Sequence, residues 1–305
     1  MTAVLQVALA GGVTGSLYGL LAVGIVLIYR TTGVLNFAYG AIAAVCACFM
    51  YVLLTGPRLN FWLALPLALI FAVALGIALE RLFARPVLNA PVFTKAIATL
   101  ALALVLQTVA QQIWPQLAQP EHFPSPFEGH ATRIGGLYIS AIGVTVLGVT
   151  AVVMVALALF LNRTRLGIAM RATADNQPVA RLMGVPVGLV FPLVWALSAV
   201  VAALTGILFA SQQAVIDVQF MDPLLILAFV AAVLGGLESL PGALLGGLIV
   251  GLTDSLLALV LAGRHVGALD VSDPGIRAAL IFGGFVLVLL LRPQGLFGQA
   301  VLRKV

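Results

Sequence analysis

The sequence predicts an all-α polytopic integral membrane protein of about eight to nine transmembrane helices, some of them short or broken. Three observations carry that prediction. Charged residues make up 8% of the 305 and hydrophobic ones 63%, against about a quarter charged in a water-soluble domain. Apolar segments without Asp, Glu, Lys or Arg run long enough to cross a bilayer. Basic residues gather at the ends of these segments, and four of the fifteen lie in one loop, 163–184.

Taken in order, the charge-free segments are 3–29, 34–55, 61–79, 96–114, 134–161 and 182–210, each sufficient for a helical span. Three later segments are 223–237, 241–262 with Asp254 inside it, and 278–291; the first and third are short and are read as tilted, locally thinned or re-entrant. The opening Met1-Thr-Ala-Val-Leu-Gln lacks the positive region of a secretory signal, so the first segment is expected to be retained as a span. Nothing divides the chain into parts, and residues 1–305 are read as one transmembrane domain.

With nine crossings and the 163–184 loop in the cytosol, eleven basic residues fall inside. Arg58, Arg133, Arg264 and Arg277 fall outside, with Glu121, Glu128, Asp217, Asp222, Asp270 and Asp273. The asymmetry predicts an external N-terminus and a cytosolic C-terminus, and places Trp62 and Trp114 near the outer interface. A net charge of +5, scattered along the chain, forms no stripe for nucleic acid. Cys46 and Cys48, two apart on a helix, point to different faces and are read as small packing residues.

Gly11, Gly15 and Gly19 make one helical stripe, and Gly242, Gly246, Gly247 and Gly251 make another. Small residues allow close helix approach in lipid, either within the chain or between two subunits. The first two spans are separated by Arg30-Thr-Thr-Gly33, followed by Asn36 and Tyr39. So short a break requires a surface turn or a broken helix, and unwound backbone at membrane depth belongs beside a cavity that admits a solute. A second break spans 235–242, where Pro241 suits the first turn of a helix capped near Ser239 or Leu240.

Asp254 stands alone among apolar residues and must be paired or wetted, as a lock between helices or as part of a pathway. Gln107 and Gln111, with Thr108 and Gln112, supply hydrogen-bonding groups near one end of their segment, as interhelical glue or solute lining. Asn36, Tyr39, Gln107, Gln111 and Asp254 are therefore the pathway candidates. No catalytic residue or metal site is expected: phosphate-loop, zinc-pair and nucleophile-elbow motifs are missing, and His122, His130 and His265 are scattered.

The 163–184 loop has helix-forming content. Asn176 can cap a helix of about two turns starting near Gln177 and Pro178, Gly184 can end it, and a longer helical stretch from Leu166 to Thr173 precedes it. A basic element of this shape suits a groove on another protein, or is an ordinary solvated loop.

Residues 171–184 (RATADNQPVARLMG), with 32–38 (TGVLNFA), 228–237 (AFVAAVLGGL) and 239–247 (SLPGALLGG), resemble the permease subunits of branched-chain amino acid ABC importers, the LivH-type family. The likeness covers nearly the whole chain. It implies the ABC importer permease fold, in a bacterial inner membrane. It also implies assembly with a LivM-type second permease, two cytosolic ABC ATPases and a periplasmic solute-binding protein. The chain itself would hold no cofactor, ATP being bound by the ATPases. The resemblance makes 163–184 the cytosolic coupling loop, with Arg171, Ala172, Asp175, Asn176 and Gly184 as ATPase-docking residues. The chain departs from the usual family pattern at Tyr39-Gly40-Ala41 (His-Gly-Glu), Leu227 (Lys) and Glu238 (Gly). The solutes implied are branched-chain or related neutral amino acids, or small amides. Two other classes remain open at this stage: an ion-coupled secondary transporter using Asp254, and a passive channel or scaffold.

Overall fold

The computed structural model describes residues 2–88, 90–134, 137–263, 265–266, 269–270, 273–292 and 295–296. Arg264, Arg303 and Lys304, which enter the charge asymmetry above, lie outside the described residues. The helices are α1 (Thr2–Thr32), α2 (Tyr39–Thr55), α3 (Phe61–Leu79), α4 (Arg85–Val87), α5 (Val92–Ile113), α6 (Ala141–Arg163), α7 (Arg165–Asp175), α8 (Gln177–Leu182), α9 (Val187–Gln213), α10 (Asp222–Gly235), α11 (Leu240–Leu261) and α12 (Pro274–Leu291). A π-helical turn, Glu80–Ala84, joins α3 to α4.

Six of these helices are long and apolar enough to cross a membrane, and α2, α10 and α12 are apolar but shorter. Together they account for the nine apolar segments, and the chain is a multi-pass membrane protein. The 34–55 segment is shorter as a helix than its hydropathy predicts. Residues 33–38 are not helical and α2 starts only at Tyr39. The 14 residues of α10 rise about 21 Å, well short of a roughly 30 Å hydrocarbon layer.

Two antiparallel pairs tie the connections together: β1 (Glu121–His122) with β4 (Val215–Ile216), and β2 (Ala131–Ile134) with β3 (Leu137–Ser140). A third joins β5 (His265–Val266) to β6 (Leu269–Asp270). The start of α1 reaches this end of the molecule, where Gln6 exchanges hydrogen bonds with the backbone of Tyr138. The end of α1 reaches the opposite one, where Arg30 meets Asp175 at 3.3 Å. We call the latter the loop end.

Helix α1 is the axis of the bundle, 83% of its most apolar window being buried; α9 follows at 67%, while α5, at 11%, lies on the outside. The two glycine stripes meet each other within the chain. Helices α1 and α11 run antiparallel, Gly11 facing Gly251, Gly15 facing Gly247 and Gly19 facing Leu244. A Cβ on Gly15 would stand 2.8 Å from the Gly247 carbonyl oxygen and from Leu248 Cα. Backbone approach of this kind supplies dispersion contacts that bulkier residues would forbid.

At the loop end of α3, Glu80 is buried and lies 3.3 Å from Arg85 Nε, while Arg85 donates from Nη2 to the Gly188 carbonyl at 3.0 Å. The π turn thereby fixes the end of α3 to the start of α9. Cys46 and Cys48 are both buried free thiols.

Candidate functional site

The 163–184 segment folds by local capping. Thr164 Oγ1 accepts from Gly167 N at 2.9 Å and starts α7. Asn176 Oδ1 accepts from Val179 N at 3.1 Å and starts α8, with Pro178 in its first turn. Gly184 takes φ +83°, and the Val185 amide returns to the Ala180 carbonyl at 3.0 Å, closing the helix in the left-handed conformation that glycine tolerates. Helix α7 turns Gly167, Met170 and Thr173 into the bundle. The far side of this unit is apolar and uncovered: Leu182 is 87% exposed and Met183 78%. Leu166, Ile168 and Val179 are also exposed.

Of the docking candidates, Arg171 donates from Nη1 to Asn162 Oδ1 at 3.0 Å, and its Nε is buried without a partner. Asp175 pairs with Arg30, and Asn176 is spent on its cap. Arg171, Asp175 and Asn176 share the lining of a cavity of about 1040 Å³ with Arg30 and Glu238. Ala172 and Gly184 lie outside that lining. Leu182 and Met183 escaped the sequence reading because hydropathy counts them with the following span.

The pathway candidates do not converge on one point. Asn36 is fully buried in the non-helical 33–38 segment. Its Oδ1 accepts from Ala38 N at 3.0 Å, and its Nδ2 has no partner. Thr99 of α5 holds the same segment, accepting from Phe37 N and donating to the Leu35 carbonyl. Phe37 stacks on Phe229 of α10 with ring centroids 4.7 Å apart. Tyr39 is a strut: its hydroxyl donates to the Ser198 carbonyl at 2.6 Å, and Ser198 Oγ donates to the Gly24 carbonyl at 2.8 Å, joining α2, α9 and α1.

Gln107 donates from Nε2 to both carboxylate oxygens of Asp222, at 3.0 and 3.2 Å. Asp222 opens α10 ahead of Pro223, an acid-then-proline helix start that the sequence displays. Gln111 is half-buried. Asp254 sits elsewhere, on α11, 3.4 Å from the Tyr18 hydroxyl and 3.7 Å from Arg277 Nη1. Arg277, placed in an outer loop by the sequence, belongs to the first turns of α12. The helix starts ahead of the uncharged segment because Asp273 Oδ1 accepts from Gly275 N and caps it, which leaves Arg277 facing Asp254.

Both partners of that pair are about a fifth exposed, so removing one strands the other in a poorly solvated site. Arg277→Leu should destabilise the protein by about 1–3 kcal/mol, and adding Asp254→Asn should restore most of the loss. Thermal unfolding in detergent checks this; equal stability of the single variant and the parent would refute the pairing.

A family model described as the permease component of branched-chain amino acid transport systems matches residues 7–291. The chain is similar to the high-affinity branched-chain amino acid transport system permease protein BraD of Pseudomonas aeruginosa, with 30% identity over 99% of this chain and 98% of BraD. It is similar to LivH, the permease protein of the corresponding Escherichia coli system, with 29% identity over 96% of each. A probable LivH permease of Methanocaldococcus jannaschii is 31% identical over 92% of this chain and 88% of its own length.

Proposed function

The chain belongs to the family of permease components of branched-chain amino acid transport systems, and from that premise we propose that it is a transmembrane permease subunit of an ATP-driven importer. The solute is a branched-chain or related neutral amino acid, or a small amide, received from a periplasmic binding protein. The complex contains a LivM-type second permease and two cytosolic ABC ATPases, in a bacterial inner membrane, with this chain's N-terminus outside and its C-terminus in the cytosol. The chain catalyses nothing and holds no cofactor; ATP is bound by the partner subunits.

One observation carries this reading. The capped α7–α8 unit projects from the loop end with Leu182 and Met183 almost fully exposed, the apolar tip that a groove on an ATPase would cover. Because α7 packs on α1, α6 and α9, a force on α8 reaches the spans through ordinary close packing. Arg171, Ala172, Asp175, Asn176 and Gly184 are the proposed ATPase-docking residues; Asn176, Asp175 and Gly184 also hold the tip in place, by the cap, the Arg30 pair and the left-handed stop. The ion-coupled alternative draws on Asp254, but that carboxylate already has a guanidinium partner in Arg277.

The test is reconstitution into proteoliposomes with the second permease, the ATPases and the binding protein. Uptake of a branched-chain amino acid should require ATP and the binding protein and should survive collapse of proton and sodium gradients. Uptake that follows an ion gradient without ATP would overturn the proposal.

A further inference from the structure

The cavity at the loop end, which Arg171, Asp175 and Asn176 of the docking unit also line, carries charges that contacts within the chain leave unanswered. Its apolar wall comes from α6, through Met154, Leu157, Ala158 and Leu161, together with Leu240 at the start of α11. The rest is polar and holds charges of both signs. Arg171 lines the cavity with a guanidinium whose bonded neighbour is the neutral Asn162 amide and whose Nε is buried and unpartnered. Among the described residues it has no carboxylate partner. Arg171 is half-buried and Glu238 exposed; a guanidinium with a buried free donor and no ion-pair partner suits a carboxylate, because its fork of donors matches two carboxylate oxygens. Glu238, in the α10–α11 turn, lines the same cavity and likewise has no cationic partner among the described residues. The volume, about 1040 Å³, lies just above the usual range of roughly 300–1,000 Å³ for small-molecule sites.

We infer that this cavity is a regulatory binding site for a free α-amino acid with an apolar side chain. Its carboxylate pairs with Arg171, its ammonium group with Glu238, and its side chain lies on Leu157 and Leu161. The inference rests on the proposed importer reading for the solute class and for the compartment the cavity faces. A bound amino acid links α7 to the α10–α11 turn and resists their relative movement. Accumulated product therefore slows further import.

Two measurements on the full complex test it. Equilibrium dialysis of radiolabelled leucine, without the solute-binding protein, should find a saturable site. Glu238→Gln weakens that site about tenfold, and Ala158→Trp, which crowds the apolar wall at Leu157 and Leu161 from an exposed position on α6, weakens it further. 4-Methylpentanoate, lacking the ammonium, and 3-methylbutylamine, lacking the carboxylate, should each bind at least about tenfold more weakly than leucine. In proteoliposomes, lumenal leucine should inhibit ATP-driven uptake more strongly in the parent than in Ala158→Trp, with basal uptake equal in the two.

Leucine binding that is absent, or unchanged in both variants, overturns the site. So does binding that appears only after the ATPases are stripped away, which would give the cavity to the partner protein. Normal uptake indifferent to lumenal leucine overturns the regulatory role and leaves the importer reading standing. Failure of uptake with the cavity site intact overturns the importer reading and the regulatory role that depends on it, and leaves the binding site.

Discussion

Valine at position 247 should prevent the chain from accumulating as a monodisperse folded protein. The Cβ of any residue there would collide with the backbone of Gly19 and stand 2.7 Å from the Gly15 carbonyl oxygen. These are main-chain atoms of α1, the helix at the centre of the bundle, so no side-chain rotation relieves the clash. Overpacking in a relaxed core costs about 1–3 kcal/mol, and a backbone-to-backbone contact belongs at or above the top of that range. Gly247→Ala should show an intermediate loss. Gly12→Ala and Gly283→Ala are the controls, since nothing lies within 4 Å of a Cβ at either position. Size-exclusion profiles of detergent-extracted protein report the outcome, and a Gly247→Val variant as monodisperse as the parent would disprove the antiparallel α1–α11 contact.

The second large effect concerns coupling. Leu182→Asp with Met183→Asp should lower ATP-driven uptake by at least about tenfold, the cost of losing roughly 1.4 kcal/mol of contact with the partner. The protein should still insert and fold, because both side chains are exposed within the chain itself. Asn176→Ala should act in the same direction more weakly. It removes a cap worth about 1 kcal/mol from a helix of only six residues. Gly184→Val places a branched residue at φ +83° and should uncouple ATP hydrolysis from uptake without affecting insertion. ATPase and uptake rates measured on the same proteoliposomes separate uncoupling from misfolding; full uptake by the double aspartate variant would remove the docking assignment.

What the sequence made legible is mostly local. Apolar runs marked the spans, and Asn176 and Ser239 announced helix starts that the structure realises through their own side chains. Glycine periodicity showed that two helices pack closely, yet not that α1 and α11 were each other's partners, because no local signal encodes a contact across most of the chain. A break was visible at Arg30–Gly33, whereas the structure carries α1 through Thr32 and puts the break at 33–38. Hydropathy nevertheless assigned its residues to a span, since composition does not register that this backbone leaves the helix and is held by Thr99. Asp254 stood out as a lone acid while Arg277, its partner, looked like a loop residue. The Glu80–Arg85–Gly188 tie had no warning either, because a π turn has no periodicity of its own within an apolar run. Tyr39, picked out as a pathway residue, lies fully buried as a strut between three helices.

The α1–α11 seam also bears on how the protein is made. The ribosome releases α1 well before α11, so the glycine face of the central helix waits in the bilayer for its complement while α2 to α10 are made. Chains halted before residue 240 would present that face unmated.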